Sequence, residues 1–383
     1  MKKRMAALLA ALSLLSAVLT GCGGGSNGNG GQTDNNGATD AVTARAAAGE
    51  LNVGIAQDLD SSLDPHKTVK AGTREVMFNV FEGLLKPDAS GNLNPAVAES
   101  YTVSDDHLLY TFKLRSGVKF HNGQDVTPED VIWSYQRCGN PDSADIIQVA
   151  AFADAEIYQE GENTVCFRLS EPSNEFISYL TTAVLPKDYT EQDTAPVGTG
   201  PFKFVSRTAQ DSVVLERFDD YWGEKPSLSK VTYKIIENAD SVVMSLQSGA
   251  VDLFAHLTAT QVAQLGEGFH VEEGTMNLVQ SLYLNNAEAP FDDVRVRQAL
   301  SYAIDRQQIL DLAFDGYGTL LGSSMYPAFS KYFDDSLTDY YSYDPEKAKE
   351  LLTEAGYPNG FDMDITVPSN YQPHMDTAQV IVE

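Results

Sequence analysis

Short stretches that alternate apolar and polar residues, interleaved at uneven intervals with capped helices, most constrain what this chain can fold into. Leu51-Asn52-Val53-Gly54-Ile55 has the alternation of a half-buried strand, and so do Tyr110-Thr111-Phe112-Lys113-Leu114, Val231-Thr232-Tyr233-Lys234-Ile235 and Met363-Asp364-Ile365-Thr366-Val367. Helix starts stand between them. Thr127-Pro128-Glu129-Asp130 offers an N-cap hydroxyl, a proline in the first turn and an acid placed to close a capping box. Asp344-Pro345-Glu346 opens a helix with Ala348, Leu351, Leu352 and Ala355 on one face, ended by Gly356 and Pro358. Asp292 is expected to cap another, carrying Val296, Ala299, Leu300, Ala303 and Ile304 on one stripe. No internal repeat appears. The pattern is mixed α/β, and its irregular order implies neither a barrel nor a clean doubly wound sheet.

At 383 residues the chain is long enough for two or three domains. Its 43% apolar and 10% aromatic content supplies buried cores and excludes a disordered polymer. Lys and Arg total 26 against 54 Asp and Glu, a net charge of −28 that repels phosphate backbones and argues against nucleic acid as a partner. Three cysteines build neither a disulfide scaffold nor a Cys-rich zinc fold.

The amino terminus reads as an address. Met1-Lys2-Lys3-Arg4 is a positive n-region, Met5 to Thr20 is an uncharged, largely apolar run, and Leu19-Thr20-Gly21-Cys22 ends it on small residues and a cysteine. This resembles the bacterial lipobox, which implies cleavage after residue 21 and lipids on Cys22. A transmembrane helix is the alternative, but the run is short for one and a Gly/Asn/Ser tract follows it. Loss of Lys2, Lys3 and Arg4 with the leader makes the mature chain still more acidic. Residues 22–48, rich in glycine, asparagine and alanine, are expected to form a flexible tether with a reach of about 25–30 Å.

Four sets of motifs, in order, carry a resemblance to a known family. They are Leu63-Asp64-Pro65-His66 with Phe78-Asn79-Val80-Phe81-Glu82-Gly83-Leu84-Leu85; Pro95 to Tyr101 with Tyr110 to Gly123 and Thr127-Pro128-Glu129-Asp130-Val131; Val197-Gly198-Thr199-Gly200-Pro201-Phe202 with Asp219-Asp220-Tyr221-Trp222 and Leu246 to Asp252; and Pro290 to Leu300 with Ala355-Gly356-Tyr357-Pro358. Together they span nearly all of residues 50–368 and resemble the extracytoplasmic solute-binding proteins of ABC importers, in the peptide/nickel-binding family. The resemblance implies an α/β, bilobal clamshell like that of periplasmic binding proteins, with an extra α/β domain on the first lobe. On this sequence the first lobe takes residues 49–82 plus 187–285, the extra domain 83–186, and the second lobe 286–383. That lobe is incomplete: the chain ends at Val380-Ile381-Val382-Glu383, within a helix expected from about His374, where family members run on. A fragment of a longer product is the expectation, and a short form the alternative.

The implied function is capture of an oligopeptide or dipeptide between the lobes by a lipid-anchored monomer, and delivery to an ABC permease in the membrane, without a cofactor. The alternatives are a signal receptor of the same fold, or a tethered hydrolase. In the peptide-binding members the loop after the Asp-Pro-His motif pairs with the ligand main chain. Here it is Thr68-Val69-Lys70-Ala71, and its alternative is an ordinary surface loop. The loop from Cys138 to Ile147 can reach the same cleft. Glu99, Arg115, Arg295 and Arg297 are expected in structural ion pairs, and Tyr221-Trp222 as a core anchor. Gly117, Gly123, Gly198 and Gly200 fit turns that need unusual backbone angles.

Catalytic and metal chemistry find little support. His66, His107, His121, His256, His270 and His374 are scattered without metal-ligand spacing. No nucleophile elbow and no phosphate-binding glycine loop occurs. Nickel or haem as cargo leaves no ligand cluster in the sequence. Cys138 and Cys166 could be bonded or could be two buried thiols.

Overall fold

A computed structural model describes residues 36–143, 145–275, 278–329, 332–368 and 372–383. The expected leader, the lipidation residue Cys22 and the first part of the tether lie outside them. From Asn36 the stretch expected to be a tether is instead a helix, α1 (Asn36–Ala48), leading through Gly49 into strand β1 (Glu50–Ile55). Arg45 fastens it, donating to Asp252 Oδ1 and Oδ2 at 2.5 and 3.0 Å and to the Gly249 carbonyl at 2.6 Å. A two-point guanidinium–carboxylate contact with an added carbonyl holds a helix that composition alone reads as flexible.

After β1 come helix α2 (Ala71–Met77), the strand pair β2 (Leu85–Pro87) and β3 (Leu93–Pro95), then β4 (Ala98–Val103) and β5 (Leu109–Leu114). Helix α3 (Pro128–Gly139) and the short α4 (Ala150–Ala153) precede β6 (Glu156–Gln159), β7 (Thr164–Arg168) and α5 (Phe176–Tyr179). Strands β4, β5, β7 and β6 form, in that order, an antiparallel sheet. The apolar face of this sheet and α3 close over one core. Phe112, Phe120, Tyr135, Phe167 and Phe176 are all fully buried there. Val131, Ser134, Tyr135 and Cys138 are the buried stripe of α3, at the spacing of one helical face. Its start is the capping box expected from sequence: Thr127 accepts from the Asp130 N–H, and the Asp130 carboxylate accepts from the Thr127 N–H.

A second sheet assembles from distant segments. Strands β8 (Phe202–Thr208), β9 (Ser212–Arg217) and β10 (Lys230–Ile235) form an antiparallel meander. Helix α6 (Ala239–Gln247) then crosses to β11 (Leu253–Phe254), giving the order β11-β1-β10-β9-β8 with β1 parallel to both neighbours. Leu59, Leu63, Val76, Met77, Val80, Leu185 and Leu215 form its core. Helix α7 (Ala259–Leu265) packs with α6, and the remaining helices are α8 (Val294–Ala303), α9 (Arg306–Ala313), α10 (Pro345–Glu354) and α11 (Gln372–Val382). Ala299 of α8 meets Ala348 and Leu351 of α10 in a small cluster of their own.

Three further expectations change and one open alternative closes. The cap of α8 is Asp293, not Asp292, its carboxylate accepting from the Arg295 N–H. Residues Met363 to Val367 alternate between half-buried and exposed as a strand would, yet no ladder joins them to another strand among the described residues. Cys138 and Cys166 are both free and buried, which settles the open alternative in favour of two thiols. Gly117 and Gly123 do take left-handed angles (φ 77° and 87°), but Gly198 and Gly200 do not. At those two positions glycine is required by close approach: a Cβ on Gly198 would lie 2.2 Å from the Val80 carbonyl oxygen, and one on Gly200 2.5 Å from that of Asn79. Gly198→Ala is therefore expected to destabilise the fold by about 1–3 kcal/mol through overpacking, read as a lower urea midpoint at unchanged slope.

Candidate functional site

The Asp-Pro-His motif follows β1 and is tied to α3 by a buried polar knot. Arg137 donates to both Asp64 oxygens, at 2.6 and 3.1 Å, and to His66 Nδ1 at 3.1 Å. His66 Nε2 donates to the Ala183 carbonyl at 2.9 Å, and the His66 N–H donates to Asp64 at 2.9 Å. Asp64 and His66 are each 2% exposed, so this ion pair sits in a low-dielectric setting where every lone pair counts. A carbonyl can only accept and a guanidinium can only donate, so the two partners of His66 fix a neutral ring with its proton on Nε2. Burial, chiefly, holds the His66 pKa below its usual value.

A second histidine, half-buried, is built the same way. His121 Nε2 donates to the Gly200 carbonyl at 2.9 Å, while Nδ1 accepts from the Gly198 N–H at 3.3 Å. Burial pushes its pKa down to about 4.

From this knot the chain emerges as the loop singled out by sequence. Thr68 is buried, whereas Val69, Lys70 and Ala71 are exposed, Val69 at 69%. Ile147 is brought to the same place, its N–H donating to the His66 carbonyl at 2.7 Å. The loop after α3 is thus bonded directly to the Asp-Pro-His motif, two residues before Thr68.

What the rim from Thr68 to Ala71 offers follows from which of its backbone groups are already used. The Thr68 N–H donates to the Asp64 carbonyl, and the Thr68 carbonyl accepts from Arg74 Nε at 3.2 Å. The Lys70 N–H donates to Asp60 Oδ2 at 3.1 Å, and the Lys70 carbonyl accepts from the Arg74 N–H as α2 begins. Val69 alone keeps both its N–H and its C=O without a partner among the described residues. Because a trans peptide points its N–H and C=O in opposite directions, the two braces aim these free groups. Arg74 on the Thr68 carbonyl turns the Val69 N–H the other way, and Asp60 on the Lys70 N–H does the same for the Val69 C=O. Neither brace was visible in the sequence, because each joins residues whose proximity depends on how α2 folds back.

Two cavities among the described residues are small, and one of them touches the knot. One, of about 250 Å³, is flanked by Asp64, Trp133, Arg137 and Asp193, but its charged groups are already satisfied by one another, with Lys67 on Asp193 and Arg137 on Asp64. The other, of about 210 Å³, opens beside Glu82, Tyr221 and Trp222. Both fall short of the roughly 300 Å³ at which small-molecule pockets begin. Tyr221 and Trp222 are half-buried, and they anchor on a buried carboxylate as much as on a core: the Tyr221 hydroxyl and Trp222 Nε1 each donate to Glu82 at 2.8 Å. Of the expected structural ions, Glu99 pairs with Lys113 and Arg295 with Asp293. Arg115 stacks 4.1 Å over the Trp222 ring, and Arg297 donates to the Phe291 and Asp292 carbonyls. Among the described residues no group of histidine, cysteine and acidic side chains is placed to hold a metal ion, and no helix is long and apolar enough to cross a membrane.

Comparison with known proteins places this fold. Residues 92–383 match the family described as bacterial extracellular solute-binding proteins, family 5 middle, and the chain belongs to that family. Heme-binding protein A of Haemophilus influenzae is 32% identical over 311 residues, covering 73% of this chain and 56% of that protein. Glutathione-binding protein GsiB of Escherichia coli O1:K1 is 31% identical over 349 residues, covering 88% and 66%. The solved dipeptide binding protein from Pseudoalteromonas sp. SM9913, in complex with Met-Leu, superposes with a TM-score of 0.75 at 26% identity, covering 87% of this chain and 72% of that one. The periplasmic-binding-protein-like α/β fold is therefore shared, and these relatives are binding proteins, not enzymes. The chain spans 56% and 66% of the length of the two curated relatives.

Two outcomes test the knot and its counterpart at His121. Both histidines are held neutral with folded pKa values below the unfolded value of about 6.5, so between those values the unfolded chain binds more protons. Stability is expected to be complete above about pH 6.5 and to fall as pH drops towards 4, and His66→Gln or His121→Gln should each flatten that decline in urea melts. Arg137→Leu leaves the Asp64 charge buried without its partner and is expected to cost about 3–5 kcal/mol.

Proposed function

We propose that this chain is the extracytoplasmic binding component of an ABC importer and that its cargo is short peptides. The observation that carries the reading is the open backbone of Val69. A donor and an acceptor on one exposed, braced residue are what an extended peptide needs to add itself as a strand, whatever its side chains. Selectivity would then rest with side-chain pockets, in keeping with a family whose relatives are named for ligands as different as haem, glutathione and dipeptides.

In this reading the first lobe comprises residues 49–82 and 187–285, the extra domain 83–186, and the second lobe begins at 286. The ligand sits between the lobes, with the Thr68–Ala71 rim and Ile147 on the first-lobe side. Contact with both lobes exists only in the closed state, so binding shifts the population towards the form that a membrane permease recognises. Cys22 carries the lipid that keeps the monomer at the outer face of the membrane, and multiple acyl chains make that attachment stable.

Thermal unfolding of the chain from residue 22 on, as Cys22→Ser, tests the ligand class. Met-Leu is expected to raise the melting temperature, by the equivalent of about 2.7 kcal/mol at a hundred times Kd. Val69→Ala keeps both peptide groups and should retain the shift. Val69→Pro removes the donor and should weaken binding about five- to tenfold. A shift with haem alone, or none with any di- to pentapeptide, would contradict the peptide reading. In bacteria expressing the chain with its leader, labelled palmitate should be incorporated, and Cys22→Ser should abolish it.

A further inference from the structure

Of the two braces on the Val69 rim, the one on the Val69–Lys70 peptide is only as fixed as Asp60, and Asp60 is held by a residue that is remote in sequence. Arg207, on β8, reaches the turn after β1 with three hydrogen bonds: to the Asp60 carbonyl at 2.6 Å, the Leu59 carbonyl at 2.9 Å and Asp58 Oδ1 at 2.8 Å. Asp58 completes the turn by accepting from the Leu59 N–H at 2.7 Å and from the Gln210 N–H at 2.9 Å. Although burial opposes charge on Asp58, these donors and Arg207 outweigh it and hold its carboxyl below the ordinary range. The Asp60 N–H then donates to Thr73 Oγ1 at 2.8 Å, and its carboxylate receives the Lys70 N–H.

We propose that Arg207 is the positioning residue of the ligand rim: it freezes residues 58–60, which place the Asp60 carboxylate, which sets the plane of the Val69–Lys70 peptide. The inference rests on the peptide-binding reading for its purpose, but its geometry stands without a ligand. Two features mark Arg207 as more than a surface ion pair. Its guanidinium spans two successive carbonyls and a carboxylate at once, a fork that a lysine ammonium cannot reproduce. Its Nε is buried and has no partner among the described residues. The side chain is therefore aimed at the turn at the expense of its own full hydrogen bonding.

Backbone order parameters from nitrogen-15 relaxation of the ligand-free protein test this. In the wild type the Val69 and Lys70 amides should be ordered, near 0.85. Arg207→Lys keeps the charge beside Asp58 and the packing of β8, and should let residues 58–60 and 69–70 fall to below about 0.6. The amides of β8 and β9 should stay rigid. Asp60→Ala, with Arg207 intact, should loosen 69–70 alone and leave the turn at 58–60 fixed. Order parameters at 69–70 that do not change in either variant would overturn the proposal, as would loosening of β8 and β9 to the same extent as the rim. Because no ligand is present, failure here leaves the peptide reading to the Met-Leu melt, and failure of that melt leaves this result standing.

Discussion

Arg137 donates simultaneously to a buried carboxylate and a buried imidazole, and most of the arrangement around the rim depends on that contact. It joins the loop after β1 to α3, and through His66 to the Ala183 carbonyl. These segments belong to different cores: Tyr135 of α3 packs in the aromatic core of the β4-β5-β7-β6 sheet, whereas Leu63, Ala183 and Leu185 pack against the sheet that contains β1. Replacing the knot with apolar groups could in principle stabilise the interior. What the polar version supplies is direction. An imidazole with one donor and one acceptor side can satisfy a carbonyl and a guanidinium in one register only, so the loop leaves the knot at a defined place.

The rim beyond the knot is built by using up backbone groups until, among its described residues, Val69 alone keeps both its N–H and its C=O open. Arg74 takes the Thr68 carbonyl, Asp60 takes the Lys70 N–H, and the start of α2 takes the Lys70 carbonyl. A main-chain platform of this kind has little regard for ligand side chains, and its strength comes from being fixed before the ligand arrives, since no loop has to be ordered on binding. The long-range contacts of Arg207 and Arg45 follow the same principle. Arg45 holds a helix that composition reads as flexible, and Arg207 holds the turn at residues 58–60.

Local features were legible in the sequence and distant pairings were not. The capping box at Thr127 to Asp130 and the strands at Leu51, Tyr110 and Val231 depend on neighbours within a few residues, and the structure reproduces them. Asp292 has a cap's chemistry, but in the fold it is the Asp293 carboxylate that accepts from the Arg295 N–H. Met363 to Val367 has strand periodicity, but periodicity does not provide a partner. For Gly198 the glycine was identified and its reason was not: the need is for room beside the Val80 carbonyl, a segment more than a hundred residues away. The candidate loop was placed by resemblance to a family. That Val69 is its open residue could not be read, because Asp60, Arg74, Arg137 and Arg207 reach it through tertiary contacts that leave no periodic trace.

The central claim is that the rim is formed before the ligand binds and meets the ligand main chain at Val69. Crystal structures of the protein without ligand and with Met-Leu test this together. Residues 64–71 should superpose in the two states, with the peptide main chain across the Val69 N–H and C=O. A rim that rearranges on binding, or a peptide held elsewhere with Val69 still open, would contradict it.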